Sequence, residues 1–207
     1  MNATWWRRNR FWLALLVPLL FLAVVASSFR LVNIYLPWDW TRPIVAHDTS
    51  GTLRQDFLGF DDVRREREVR VQVLSAVPQQ VHGDAKAAAG AVLWRILLEF
   101  EAAPDQFLDS CTIELQDAEG TRYGHEGGME SVDGSGTPWE ARLAQRCVPE
   151  SAPGPTLEPF TGKLVPSPVE RPRTWRLEYL IATPEAVEPT ALRVGWHYPE
   201  YLVLEVP

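Results

Sequence analysis

Residues 111–123 read CTIELQDAEGTRY, a run that alternates and then turns. Cys111, Ile113 and Leu115 face one way, while Thr112, Glu114 and Gln116 face the other. That period of two marks a strand with one buried face. Asp117-Ala118-Glu119-Gly120 then reverses the chain into Thr121-Arg122-Tyr123, a hairpin by its turn residues.

The same alternation recurs on either side of this hairpin. Val69, Val71 and Val73 alternate with Arg70 and Gln72. Val92, Trp94, Ile96, Leu98 and Phe100 share one face, and Leu93 and Leu97 join Arg95, Glu99 and Glu101 on the other. A strand apolar on both sides belongs in the middle of a sheet. Trp175, Leu177, Tyr179 and Ile181, then Leu192, Val194 and Trp196, then Leu202, Leu204 and Val206 complete the set. About six or seven strands with half-polar faces predict an all-β, antiparallel β-sandwich.

Helix signals in this part are sparse. Residues 84–91 (DAKAAAGA) permit a helix but lie between strands, which predicts a loop; Glu140 to Arg146 predict one short helix. The glycine-rich stretch Gly124–Pro138 and the proline-rich stretch Pro149–Pro172 read as loops.

The N-terminal part is of another kind. Residues 11–29, FWLALLVPLLFLAVVASSF, carry no charge and at 1.5 Å per residue span roughly 28 Å, the thickness of a bilayer core. Pro18 is tolerated in such a helix. Trp5, Trp6 and Trp12 flank one end and Tyr35, Trp38 and Trp40 the other, the aromatic belts of two interfaces. Arg7, Arg8 and Arg10 precede the span without an acid, whereas Arg30 and Arg42 are offset by Asp39 and Asp48. The positive-inside rule therefore puts the N-terminus in the cytoplasm and the C-terminal domain outside the cell. A cleaved signal peptide, with Val24 and Ala26 before Ser27, is the rival reading; the apolar stretch exceeds its usual length and resumes in Leu31–Leu36. The expected organisation is a tail over 1–10, a transmembrane helix over 11–31, a linker or arm over 32–62 and the sandwich over 63–207.

Cys111 and Cys147 are the only two cysteines, and outside the cytoplasm they predict a disulfide. Closing a loop of roughly 37 residues contributes about 3.5–4 kcal/mol in the chain-entropy account. The order Trp94, Cys111, Cys147 departs from the Cys–Trp–Cys order of antibody domains.

The chain's net charge of −7 lacks the basic face that nucleic acid requires, so no nucleic-acid partner is expected. Asp48-Thr49-Ser50-Gly51 resembles an aspartic-protease triplet interrupted by a serine, and no second copy exists to share a proton. Ser135, between Gly134 and Gly136, lacks the spacing of a nucleophile elbow. His47, His82, His125 and His197 show no shared ligand spacing for zinc. Asp61, Asp62, Asp117 and Asp133 are loop carboxylates that calcium could use, and solvated turns are the plainer reading. No phosphate-binding glycine loop is present. No catalytic residue, cofactor or metal is expected.

The anchor, the strand Val69-Arg-Val-Gln-Val73, the long strand Val92–Phe100, the hairpin Leu115-Gln-Asp-Ala-Glu-Gly120-Thr-Arg-Tyr123 and the closing strand at Leu192-Arg-Val194 together resemble a known group. They are similar to the bacterial extracytoplasmic immunoglobulin-like domains of unknown function, related to secreted immunogenic sandwich proteins of actinobacteria, over residues 63–207. The resemblance implies an immunoglobulin-like sandwich, an envelope location and no enzymatic activity. The expectation is a single-pass protein of the cell membrane that binds the bilayer through its helix and an envelope protein through its domain, by loops or an exposed strand edge. Trp139 and Phe160 are candidate contact aromatics. An accessory subunit of a membrane transport or secretion complex is the alternative, although small-residue spacing in the span is limited to Ala23, Ala26 and Ser27.

Overall fold

A computed structural model describes residues 3–32, 39–59, 61–125, 127–134, 138, 146–158 and 160–207. It divides into two compact units, residues 1–41 and 42–207. Tyr35, Trp38, Trp139, Ser135 and residues 140–145 of the expected short helix lie outside the described residues.

The first unit holds the helix α1, Ala3–Arg30, with Pro18 inside it. Its segment Trp5–Arg30 is long and apolar enough to cross a membrane and buries nothing against protein. Large side chains stand out on all sides, with Phe11, Trp12 and Phe21 each about two-thirds exposed. A helix apolar all round has no preferred face for a soluble core.

Among the described residues of the second unit, the regular structure is β-strand. One sheet is built from β2 (Ser50–Leu58), β3 (Arg64–Gln79), β6 (Ala91–Ala102) and β12 (Thr174–Pro184), in the order β12-β6-β3-β2. The other is built from β1 (Arg42–Val45), β7 (Thr112–Gln116), β8 (Arg122–Tyr123), β13 (Ala191–Gly195) and β14 (Glu200–Glu205), in the order β1-β14-β13-β7-β8. Pairing is antiparallel except between β1 and β14, which run parallel. The long strand Ala91–Ala102 is central, as its two apolar faces require.

The two sheets bury one shared core. Val69, Val71, Val73, Ile96, Leu98 and Phe100 enter it from one sheet, and Ile113, Leu115, Leu192, Val194, Leu202 and Leu204 from the other. The arrangement fits a β-sandwich. Phe100 lies at its centre, stacked on Trp175 at 5.6 Å and edge-on to Tyr179 and Trp196, each at 6.5 Å. These arrangements suit the ring quadrupoles as well as the packing.

Several expectations are corrected. The stretch 32–62 is not a linker throughout, because Arg42–Val45 and Ser50–Leu58 are strands of the domain, which begins at Arg42. Leu53 is fully buried there, but Gln55, in phase with it, is polar and still 3 % exposed, so the apolar alternation is broken in sequence. Gln55 meets the burial requirement by donating to the carbonyls of His197 and Glu200 at 2.7 and 2.9 Å. Between the two strands the chain passes from one sheet to the other. Asp48 O accepts from Glu205 N of one sheet, and Thr49 O accepts from Val73 N of the other. Gly51 makes the crossing possible: a Cβ there would meet Leu202 and Ala46 at 2.8 and 2.9 Å.

Residues 84–91 are not a plain loop. Ala85–Ala87 form β5, which pairs with β4 (Val81–His82) and with β9 (Met129–Ser131), the latter inside the stretch read as a glycine loop. Ala85, Leu93, Leu180 and Ala182 form a second buried cluster. The small sheet thus covers the outer face of β6 and β12, and this explains why Leu93 is buried away from the main core. Alanine favours helix intrinsically, but its small side chain fits here against the larger sheet, and tertiary packing prevails. The proline-rich stretch contains a short hairpin of β10 (Thr156–Leu157) and β11 (Leu164–Val165).

Candidate binding groove

The hairpin at residues 111–123 owes its shape to one carboxylate. Asp117 Oδ1 accepts from the N–H of Thr121 at 2.7 Å, and Oδ2 accepts from the hydroxyl of Tyr123 at 2.9 Å. Burial opposes its charge, but the bonds from Tyr123 and Thr121 outweigh this and hold it below the usual carboxylate range. The same bond from Tyr123 to Asp117 raises the phenol. Gly120 takes the left-handed conformation the turn demands, at φ 87°.

Beyond Tyr123 the chain leaves the sheet. The ladder between β7 and β8 covers only Leu115–Tyr123 and Gln116–Arg122. On its other side β7 pairs with β13 along its whole length, from Thr112 to Gln116. A groove of about 950 Å³ opens where β8 stops, bounded by Ile113, Glu114, Arg122, Tyr123, His125 and Ala182. Small residues keep it open: a Cβ at Gly90, Gly124 or Gly127 would meet nothing within 4 Å. Gly128, at φ 70°, lies so close that a Cβ would stand 2.6 Å from that of Ala182.

Cys111, at the end of this groove, is bridged to Cys147 with Cα atoms 5.8 Å apart. Both cysteines are buried, at 4 and 0 %. Trp175 Nε1 donates to Cys147 O at 3.0 Å and Tyr179 hydroxyl to Arg146 O at 2.6 Å. The bridge therefore joins β7 of one sheet to a segment that is bonded to β12 of the other.

Among the described residues Arg67, Arg171 and Arg193 are buried, whereas the run Arg64-Arg65-Glu66-Arg67-Glu68 reads in sequence as a solvated, mixed-charge strand entry, a reading corrected at Arg67. Arg67 donates to Phe107 O at 3.0 and 3.2 Å and to His197 Nδ1 at 2.9 Å, and lies over the ring of Phe57 at 4.3 Å. Burial pushes its guanidinium down to about 9. A guanidinium only donates, so Nδ1 of His197 accepts and its ring is neutral. Burial, and then the Arg67 charge, lower His197 to about 4. Arg171 donates to Ala103 O at 2.7 Å, Gln106 O at 2.9 Å and Pro153 O at 3.2 Å, and covers Trp175. Arg193 pairs with Glu114 at 3.0 Å. Arg67 and Arg171 thus grip one loop, residues 103–107, from two sides. The signal for Arg67 was present in its phase, two residues before Val69; nothing local marks Arg171.

The remaining sequence candidates are scattered. His82 pairs with Glu178 at 2.6 Å, His125 borders the groove, and His47 lies in the crossing segment. Among the described residues no three His, Cys, Asp or Glu side chains gather as metal ligands. Asp61 is held by Arg65 at 2.6 and 2.7 Å, and that bond brings it down to about 2. Asp62 occupies the adjoining turn, and Asp133 accepts from the hydroxyl of Ser131. The backbone of Asp48 serves the sheet crossing. Phe160 is 97 % exposed. No protein-family model, no curated protein and no solved structure matches this chain.

Proposed function

We propose that this chain is a signal-anchored protein of the bacterial cell envelope whose C-terminal domain works outside the cytoplasm as a binding or scaffolding module, not as an enzyme. The observation that carries the reading is a coincidence of two solvent requirements. An apolar helix with all sides exposed needs lipid, and arginines precede it. The domain that follows holds its only two cysteines bridged in its core, as an oxidising compartment allows. An immunoglobulin-like relationship is supported by the pairing of β12 with β6 and by the order β14-β13-β7, which match strands E–B and G–F–C of that architecture. The groove beside β7 is the contact site in this reading, with the exposed Phe160 as a further contact on the surface.

Topology tests the proposal directly. A C-terminal epitope tag on the full chain is expected to be digested when protease is added to intact cells or spheroplasts, and the protein to stay with membranes through alkaline carbonate washing. Maleimide is expected to label Cys111 and Cys147 only after reduction and unfolding. A tag protected until lysis, or thiols that label without reductant, would overturn the proposal.

A further inference from the structure

A series of hydrogen bonds runs across the end of the sandwich where the chain enters it. Arg42, the first residue of β1, donates its N–H to Pro199 O at 3.0 Å. Gln55 donates to the carbonyls of His197 and Glu200 in the same turn. Arg67 joins His197 to Phe107 O. Arg171 continues from Gln106 O and Ala103 O to Pro153 O. The hairpin of β10 and β11 lies between Pro153 and Arg171, so its root belongs to the end that receives the chain from α1. That root is tight: at Gly154, with φ 77°, a Cβ would stand 2.8 Å from Nη1 of Arg171. Past the root most described side chains are exposed. The tip is held by its own backbone, Glu158 N donating to Lys163 O and Gly162 N to Glu158 O, both at 2.9 Å. It presents Phe160 to water almost completely, and Leu58 and Val63, beside the turn between β2 and β3 at the same end, are exposed as well. Apolar side chains held out in this way on ordered turns mark a contact surface.

We propose that this end of the domain rests on a phospholipid surface, with Phe160 entering the boundary between headgroups and acyl chains. The proposal rests on the reading of α1 as a membrane anchor and gives the exposed Phe160 its partner. Two observations favour lipid over a protein. Eleven residues, 31–41, separate α1 from Arg42. Their reach is at most about 40 Å, close to the width of a domain of this length. A tether that short keeps the bilayer at a high effective concentration beside the end it enters, so one weak contact suffices. Charge is the second. The chain carries −7 although Arg7, Arg8, Arg10 and Arg30 all lie before the domain, which is therefore acidic. Residues 151–169 hold one acid and one base, Glu158 and Lys163, and so approach anionic headgroups without the repulsion the rest of the domain meets.

The test uses the full chain in nanodiscs of phosphatidylcholine with phosphatidylglycerol. A cysteine replaces either Lys163, beside the tip, or Ala118, exposed in the turn after β7 at the opposite end, and carries a nitrobenzoxadiazole dye; the native cysteines are bridged. Nitroxide lipid is expected to quench the dye at Lys163→Cys at least threefold more than at Ala118→Cys. Phe160→Ser should bring the two to the same level and leave the unfolding midpoint unchanged, because the ring is solvated. Equal quenching at the two positions, or quenching at Lys163→Cys that Phe160→Ser does not reduce, would refute the proposal. A dye that is water-exposed in nanodiscs but shielded in native envelope vesicles would replace lipid by a protein partner and refute it too. A chain that does not enter nanodiscs would overturn the anchored reading and the lipid contact with it. A chain that enters with both dyes equally exposed would overturn the lipid contact alone.

Discussion

Arg67 stands in the phase of the valines that follow it, and so its long cation is carried into the protein. A buried charge is tolerated only when its donors are matched. Here the matches are a carbonyl and a neutral imidazole rather than a carboxylate. His197 must remain neutral for that bond, and this links stability to pH. Its folded value, about 4, lies below the ordinary 6.5, so the unfolded chain takes up the proton first. The contribution is complete above pH 6.5, falls as the pH drops below that, and is lost by about pH 4. The depression sets an upper bound of about 3 kcal/mol, and partial exposure of the ring brings the expected loss to about 2 kcal/mol. Urea midpoints of the full chain measured from pH 7.5 to 4 should show this slope. His197→Asn, which keeps an acceptor for Arg67 but does not titrate, should flatten it, and an unchanged slope would refute the linkage.

At the scale of elements, the main strands were legible because apolar alternation is a local property. Val69–Val73, Trp94–Phe100, Cys111–Leu115, Trp175–Ile181, Leu192–Trp196 and Leu202–Leu204 enter the core as their period requires. Arg42–Val45 and Ser50–Leu58 were missed because one is short and the other buries a glutamine in place of an aliphatic side chain. Ala85–Ala87 was missed because its strand state depends on a neighbouring sheet, not on alanine. The disulfide joins elements far apart in sequence, and its removal should be felt between them. Cys111→Ala with Cys147→Ala, or reduction of the native chain, should lower unfolding free energy by about 3–4 kcal/mol. Amide exchange should accelerate most in β7 and in the part of β12 around Trp175 and Tyr179, whose side chains donate to the bridged segment. Uniform acceleration across β2 and β3 as well would show that the bridge acts on the chain as a whole instead.

The whole molecule is two compact units, residues 1–41 and 42–207. Every described residue of the main core lies between Ile44 and Val206. Residues 42–207, exported behind a cleavable signal, should therefore unfold at the same urea midpoint as the full chain, within about 0.5 kcal/mol. A domain that aggregates or melts much earlier would mean that the helix contributes to its fold. The groove belongs to this scale too. It exists because β8 ends after two residues, because glycines follow it, and because edges of both sheets meet there.

Composition and local period alone determined that this chain has an apolar helix of bilayer length, a β domain and one candidate bridge. These are properties of neighbours in sequence: hydrophobic run length, alternation and cysteine count. The tertiary structure decided which polar groups are buried and where the domain begins. Those outcomes depend on contacts such as Arg67 with Phe107 and His197, or Arg171 with Ala103 and Pro153, between residues many positions apart. A guanidinium is hidden or solvated according to whether distant carbonyls converge on it, and no local pattern carries that information.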